Sequence, residues 1–249
     1  PTAGGDLAVF LHGLGENVAS WNLRRAELGG TYGSRLAEET GWSPVYLRAN
    51  TGLPIAENGV ALASLLDRLV EAWPHEVRRI ALVGHSMGGL IMRAACAVHT
   101  AALTSRRPWT DRVTNVVTLG TPHLGAPLER LVNAGARTLG ILPESAPFGR
   151  ILEYRSVGIL DLRRGLAADV QHLPHARYHL VAATLAGSHR HPVSEVFGDL
   201  LVRFPSAVGQ PRRGSAMFPG ADVLHVPGTG HFGLLNHPDV YHALKGWLG

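Results

Sequence analysis

Residues 84–88 read Gly-His-Ser-Met-Gly and place one serine, Ser86, between two glycines in the pattern G-x-S-x-G. The segment follows a buried apolar run at 79–84 and precedes a helical pattern at 88–98. A serine on a sharp turn between a strand and a helix presents its hydroxyl at the carboxyl edge of a parallel sheet, where ligands bind. This context predicts that Ser86 is a nucleophile that attacks a carbonyl carbon.

A serine hydroxyl needs a base to accept its proton, and the expected base is a histidine that follows the last strand. His231 has this position, in the glycine-rich segment Pro-Gly-Thr-Gly-His-Phe-Gly at 227–233. The competing histidines fit less well, since His225 lies inside the preceding strand and His237 and His242 are expected to be solvated helix residues. We therefore predict that His231 is the base.

The base needs an acid that holds its ring in the correct tautomer, and this acid falls between nucleophile and base along the chain. Asp199 follows the strand predicted at 178–183 and precedes the last strand, so it is the predicted acid. Asp222 starts that last strand and lies at the wrong end of the sheet for the site. The remaining alternatives are Glu195, Asp161 and Asp169.

Attack on a carbonyl places negative charge on its oxygen, and two backbone N–H groups must be ready to receive it. Met87, the residue after the nucleophile, is expected to provide one of them. The loop after the first strand, Phe-Leu-His-Gly-Leu-Gly at 10–15, is expected to provide the other through Leu14. His12 is a candidate to brace this loop.

Strand and helix patterns alternate along the chain and indicate an α/β fold with a mostly parallel sheet flanked by helices. At 249 residues and 45% hydrophobic content, we expect one domain, residues 1–249. Strands are predicted at 7–11, 42–47, 79–84, 113–119, 178–183 and 222–226, and helices at 56–73, 88–98 and 238–248.

The segment at 125–170 interrupts this alternation, because it contains amphipathic stretches but no obvious buried strand. We interpret it as an insertion that covers the sheet. One helical stripe within it, from Leu128 to Leu139, is apolar and lies opposite charged residues. Such a helix is either a lid that meets apolar substrate or a helix packed on the core, and the sequence leaves both open.

The net charge of +4 comes mainly from arginine pairs that are spread along the whole chain. A nucleic-acid-binding protein would more often concentrate this charge on one face or tail, so no nucleic-acid partner is expected. Cys96 is the only cysteine, which excludes an intrachain disulfide, and its apolar context predicts a buried structural thiol. No apolar run approaches the length of a transmembrane helix or has the order of a signal peptide.

Five histidines lie between residues 172 and 191 and raise the question of a zinc site. Their spacing lacks both paired cysteines and the helical His-x-x-x-His pattern. We therefore interpret them as surface histidines, and they are His172, His175, His179, His189 and His191.

Four segments together resemble bacterial lipases and esterases, including the GPI-inositol-deacylase-like hydrolases. They read His-Gly-Leu-Gly at 12–15, Gly-His-Ser-Met-Gly-Gly at 84–89, Gly-Thr-Pro-His-Leu-Gly at 120–125 and Gly-His-Phe at 230–232. The resemblance spans nearly the whole chain and implies the α/β-hydrolase fold, with a variable lid after the Gly-Thr-Pro-His segment. It also implies ester hydrolysis through an acyl-enzyme, without a metal or organic cofactor. Some related lipases hold a structural calcium ion, but no carboxylate cluster in this chain indicates one.

These residues predict a serine carboxylic-ester hydrolase with the triad Ser86, His231 and Asp199. The leucine- and alanine-rich insertion favours hydrophobic or lipid-like acyl esters as substrates. An acyltransferase or thioesterase would use the same triad, and the sequence does not separate these activities. A non-catalytic ligand-binding protein of the same fold is a further alternative, although such a protein has little reason to retain all of these groups. The compartment and the oligomeric state stay open.

Overall fold

The computed structural model describes residues 3–100, 108–125, 172–188, 199, 201–211 and 213–249. Six parallel strands form one sheet in the order β2-β1-β3-β4-β5-β6. The strands are β1 (Asp6–Leu11), β2 (Ser43–Leu47), β3 (Arg79–His85), β4 (Val113–Leu119), β5 (Arg177–Thr184) and β6 (Asp222–Pro227). This arrangement confirms the predicted α/β class.

Helices connect the strands and cover the sheet. The described α-helices are α1 (Arg25–Leu28), α2 (Tyr32–Thr40), α3 (Ile55–Ala72), α4 (Met87–Thr100), α5 (Phe204–Ala207) and α6 (Pro238–Leu248). Short 3-10 helices cover Val18–Asn22, Trp109–Arg112 and His231–Leu234. Among the helices that the structure describes, none combines the length and the apolar character needed to cross a bilayer.

The two faces of the sheet carry separate apolar layers, because side chains of a strand alternate between its faces. In β1, Leu7 and Val9 pack in the layer that contains α3 and α4, whereas Ala8 and Phe10 pack in the layer with α2 and α6. Cys96 belongs to the first layer and is 2% exposed, as predicted, and burial raises the pKa of its thiol to about 12.

The strand order reverses between β1 and β3, since the chain leaves β1 toward β2 and returns on the other side of β1. Open parallel sheets bind ligands at such a switch point, beyond the carboxyl ends of the strands. The loop that contains Leu14 follows β1, and Ser86 follows β3, so both lie at this switch point. The predicted insertion at 125–170 lies, apart from Gly125, outside the described residues.

Candidate active site

Ser86 occupies a strained turn between β3 and α4. Its φ is 52°, in the left-handed region that a residue with a side chain rarely adopts. A Cβ atom on Gly84 would lie 2.6 Å from the Gly89 nitrogen, and one on Gly88 would lie 2.4 Å from the Leu11 carbonyl oxygen. Both flanking positions therefore require glycine, and the tight packing of these backbones holds the turn in place.

His231 and Asp199 lie in contact beside this turn. The Nδ1 atom of His231 is 2.8 Å from Oδ2 of Asp199, and the two side chains are 2% and 1% exposed. The backbones of the two residues form a second hydrogen bond, in which the His231 N–H donates to the Asp199 carbonyl over 3.0 Å. The other carboxylate oxygen, Oδ1, accepts from the N–H groups of Leu201 (3.0 Å) and Val202 (2.7 Å).

This arrangement determines the tautomer of the imidazole. A carboxylate oxygen accepts a hydrogen bond, so the contact favours a proton on Nδ1 of His231 and leaves Nε2 as the nitrogen that can present a lone pair. Within the described part of the chain, Nε2 is buried and has no hydrogen-bond partner. The Ser86 hydroxyl is therefore not bonded to it here, and such bonds often tighten only in the substrate complex. A buried nitrogen with a free lone pair is what a general base requires.

The loop that carries His231 is fastened to the N-terminal part of the chain. The Tyr32 hydroxyl donates to the Leu234 carbonyl (2.6 Å) and accepts from the His237 N–H (2.7 Å). Asn236, which is fully buried with a φ of 54°, donates from Nδ2 to backbone carbonyls at residues 21 and 23. These bonds restrict the position of the predicted base.

The loop after β1 presents Leu14 in a specific orientation. The Ala49 N–H donates to Nε2 of His12 (3.2 Å), so the ring proton lies on Nδ1, which donates to the Gly13 carbonyl (2.9 Å). The Gly13 carbonyl and the Leu14 N–H belong to one trans peptide and point in opposite directions. The brace predicted for His12 is therefore present.

The N–H groups of Leu14 and Met87 are the predicted oxyanion donors. The Gly13 N–H is already engaged by Oε2 of Glu16 (3.0 Å), whereas the hydrogen bonds of the described residues leave the Leu14 N–H without an acceptor. Met87 is the first residue of α4, and the first N–H groups of a helix have no partner within it. A Cβ atom on Gly13 would lie 2.9 Å from Cβ of Ser86, so the loop and the turn are adjacent.

The Gly-Thr-Pro-His segment after β4 packs against the predicted base. Gly120 lies against the predicted base, since a Cβ atom there would be 3.0 Å from Cε1 of His231. His123 is fully buried between Thr118 (3.2 Å) and Arg93 (3.4 Å), and burial together with the Arg93 charge holds its pKa well below the usual range. His123 is therefore neutral.

The other histidines and acids that the sequence raised lie elsewhere. His179 is 1% exposed, so its interpretation as a surface residue is wrong: Nδ1 lies 2.9 Å from Asp222, and the ring stacks on Trp247. Asp222 lies at the amino end of the sheet, opposite Ser86. His225 contacts Thr184 through Nε2 (2.7 Å). The alternative acids Asp161, Asp169 and Glu195 and the histidines His189 and His191 fall outside the described residues.

His237 differs in part from the expectation of a solvated helix residue. It is partly buried and caps α6, accepting from the Asp239 N–H over 3.2 Å. His242 is exposed, and so are His172 and His175. Within the ranges that the structure describes, no group of three histidine, cysteine or acidic side chains is arranged to hold a metal ion.

Sequence reasoning missed one residue of this region, Glu16. It lies two residues after Leu14, and its side chain is 7% exposed while Oε1 lies 2.7 Å from Nδ1 of His85. An acidic residue inside the short loop that follows a buried strand is the signal that could have indicated it. A polar cavity of about 670 Å³, lined by residues 15–17 and 48–51, opens next to this loop.

Comparison with known proteins identifies the class of the chain. Residues 2–152, more than half of its length, match the family described as "Putative serine esterase (DUF676)". The chain belongs to this family. The prediction that this esterase is a carboxylic ester hydrolase is thereby confirmed. No curated protein sequence matches it.

Solved structures with the same fold include three bacterial hydrolases. The mature lipase BlEst2 of Bacillus licheniformis has a TM-score of 0.68 at 19% identity, over 98% of the esterase and 91% of that chain. Phospholipase PlaB of Legionella pneumophila has a TM-score of 0.66 at 11% identity, over 99% and 60%. Carboxylesterase CesB of Bacillus subtilis has a TM-score of 0.57 at 14% identity, over 100% and 85%. At identities this low, the likeness confirms the α/β-hydrolase fold.

Proposed function

We propose that the esterase hydrolyses carboxylic esters through an acyl-enzyme on Ser86, with His231 as the general base and Asp199 as its orienting acid. The observation that carries this proposal is the buried His231–Asp199 contact of 2.8 Å, which leaves Nε2 of the ring, beside the Ser86 turn, without a partner among the described residues. The other groups that the reaction needs lie on loops at the same sheet edge.

In the first half of the reaction, the Ser86 oxygen attacks the ester carbonyl carbon while its proton passes to Nε2 of His231. The electron pair of the C=O bond moves to the oxygen, where the N–H groups of Leu14 and Met87 stabilise it. The tetrahedral intermediate then collapses, and the alcohol leaves with the proton from Nε2. Asp199 stabilises the transient imidazolium without taking its proton.

In the second half, a water molecule attacks the acyl carbon and gives its proton to His231. The second tetrahedral intermediate releases the carboxylic acid and returns the proton to Ser86. The protons and electron pairs balance across both halves, and the ester and one water molecule are the only reactants besides the groups of this chain.

Hydrophobic acyl esters are the proposed substrate class. Three large apolar side chains are exposed on segments that follow the carboxyl ends of β1, β2 and β4: Val18 (37%), Leu53 (42%) and Leu124 (36%). They would contact an apolar acyl or alcohol group that approaches Ser86. The leucine-rich insertion at 125–170 is proposed to contribute to the same apolar surface.

The test is hydrolysis of p-nitrophenyl esters of increasing acyl length by the parent protein and by Ser86→Ala, His231→Ala and Asp199→Ala. Each variant has a matched control at an exposed position or at the far end of the sheet, namely Ser215→Ala, His242→Ala and Asp222→Ala. We expect Ser86→Ala and His231→Ala to abolish turnover, Asp199→Ala to reduce it severely, and the controls to retain it.

Two outcomes would contradict the proposal. Full activity of Ser86→Ala would exclude this serine as the nucleophile, and a parent protein inactive on every ester would exclude ester hydrolysis by this site. Covalent labelling of Ser86 by a fluorophosphonate, detected as a mass shift, checks the nucleophile independently. Adding a competing alcohol separates hydrolysis from acyl transfer, since a transferase would release mainly the new ester.

A further inference from the structure

A buried acid–histidine contact lies beneath the candidate site and takes no part in the reaction proposed above. Oε1 of Glu16 and Nδ1 of His85 are 2.7 Å apart, and the His85 side chain is fully buried. Glu16 belongs to the loop after β1, and His85 is the last residue of β3, directly before Ser86. The contact therefore joins the loop of Leu14 to the turn of Ser86.

The second oxygen of Glu16 extends the connection. Oε2 accepts from the Gly13 N–H over 3.0 Å, so one carboxylate binds the backbone next to Leu14 and the side chain next to Ser86. Any shift of the loop relative to the turn would break one of these contacts. A buried carboxylate that lost its partners would be strongly destabilised.

The second nitrogen of His85 reaches the loop of the predicted base. Nε2 lies 3.3 Å from the His231 carbonyl oxygen, and the two imidazole rings are 4.8 Å apart. A carboxylate and a carbonyl, which both accept hydrogen bonds, thus face the two nitrogens of His85. Only the doubly protonated, cationic ring can donate to both.

The electrostatic environment favours the charged forms of both residues. Burial alone would lower the pKa of His85, but the Glu16 charge, its hydrogen bond and the His231 carbonyl raise it, with a contribution from Asp199. Burial alone would raise the pKa of Glu16, but the charge and contact of His85 and the Gly13 N–H lower it, with a contribution from His231. Opposite charges within a dry site stabilise each other.

We propose that Glu16 and His85 are positioning residues, whose buried ion pair holds the Leu14 loop, the Ser86 turn and the His231 loop in one arrangement. This inference rests on the function proposed above. The pair also has a consequence for charge. His231 becomes cationic during the reaction, and the carboxylate of Glu16 offsets the repulsion that the neighbouring His85 would otherwise impose on it.

Glu16→Gln tests the proposal, because glutamine keeps the shape of the side chain and removes its charge. We expect kcat to fall by about 10- to 100-fold, as for small displacements of catalytic groups, with KM changed less than about twofold. The inhibition constant of a trifluoromethyl ketone that mimics the substrate should rise by the same factor as kcat/KM falls, because this inhibitor forms the oxyanion.

The matched control is Asp222→Asn. It removes the carboxylate of another histidine contact, 2.9 Å long, at the amino end of the same sheet, far from the reacting groups. Its kcat and inhibition constant should equal those of the parent, even if its stability falls. A change in both variants alike would mean that loss of a histidine–carboxylate contact, rather than its position, lowers activity, and would overturn the proposal.

A double-mutant cycle with His85→Asn separates a pair from two independent residues. If the residues act as a unit, the double variant should be no less active than the worse single variant. Parental kcat and inhibitor affinity in Glu16→Gln would overturn the proposal, and so would fully additive losses. If Glu16→Gln does not fold, His85→Asn alone must show the loss of kcat without a matching change in KM.

The experiments distinguish rejection of the positioning role from rejection of the proposed ester hydrolysis. A parent protein that hydrolyses esters through Ser86, together with a fully active Glu16→Gln variant, rejects only the positioning role. A parent protein without activity on any ester rejects the function on which this role rests.

Discussion

Replacing Asp199 with asparagine is expected to abolish almost all activity although the two side chains have nearly the same shape. The reason lies in the hydrogen bonds of the carboxylate. Oδ1 accepts from two backbone N–H groups, those of Leu201 and Val202, while Oδ2 faces Nδ1 of His231 at 2.8 Å. An asparagine amide has only one oxygen, and the Leu201 and Val202 N–H groups both need an acceptor at the Oδ1 position.

The amide oxygen of the variant will therefore face Leu201 and Val202, and its NH₂ group will face His231. The imidazole must then accept at Nδ1 and carry its proton on Nε2, the nitrogen that should receive the Ser86 proton. In the Ser-His-Asp template, this wrong tautomer lowers kcat by about 10⁴-fold. That factor corresponds to about 5.5 kcal/mol of lost transition-state stabilisation.

The assay is kcat/KM on a short p-nitrophenyl ester, with urea unfolding measured on the same samples. Because the oxygen keeps its two backbone donors, the free energy of unfolding should fall by no more than about 1–2 kcal/mol. Asp222→Asn, the control at the other end of the sheet, should keep parental activity. Activity above about a tenth of the parent in a folded Asp199→Asn variant would refute the reasoning, since Asp199 would then not set the tautomer.

Three further predictions concern the groups around the site. Gly13→Ala should lower kcat by about 100-fold, because its Cβ atom would lie 2.9 Å from Cβ of Ser86; unchanged pre-steady-state acylation would contradict this contact. Tyr32→Phe should lower the free energy of unfolding by about 1–3 kcal/mol in urea, because a buried carbonyl and a backbone N–H lose their partner; a neutral effect would mean that water replaces the hydroxyl. The stability difference between the parent and Glu16→Gln should be largest between about pH 4.3 and pH 6.5, the ordinary pKa values of glutamate and histidine. Glu16, with its lowered pKa, loses its contribution as the pH falls, and His85, with its raised pKa, loses its contribution as the pH rises; a difference independent of pH in urea titrations would contradict the ion pair.

Local patterns made most of the fold predictable. The strand at 79–84 and the helix at 88–98 differ from β3 and α4 by one or two residues, because apolar runs and glycines mark the ends of buried elements. The same patterns located Ser86, since the requirement for glycine at 84 and 88 follows from the turn itself. The role of Ser86 as the nucleophile stays a prediction that the variants above must test.

Long-range contacts were harder to predict. Asp199 and His231 are 32 residues apart, and only the expected order of the loops connected them in the sequence. No expected order of loops connects Glu16 with His85, because their pairing depends on the adjacency of β1 and β3 and on the direction of each side chain. Burial of His179 was missed for a similar reason, since Trp247, which covers it, lies 68 residues away along the chain.

Three histidine–carboxylate contacts of nearly equal length show why residue type alone does not assign a role. His231–Asp199 is 2.8 Å long, His85–Glu16 is 2.7 Å and His179–Asp222 is 2.9 Å. Their surroundings differ at the second ring nitrogen. In His231 this nitrogen has no partner within the described part of the chain, in His85 it faces a backbone carbonyl, and in His179 it contacts Asn115.

The second nitrogen decides what each ring can do. A ring whose second nitrogen has a free lone pair can accept a proton from a nucleophile, whereas a ring whose second nitrogen faces an acceptor, as in His85 and His179, does not offer that lone pair. His179 lies at the amino end of the sheet, away from Ser86, and burial lowers the pKa of its ring. A histidine–carboxylate contact whose second ring nitrogen is occupied, such as His179–Asp222, should therefore not act as a general base.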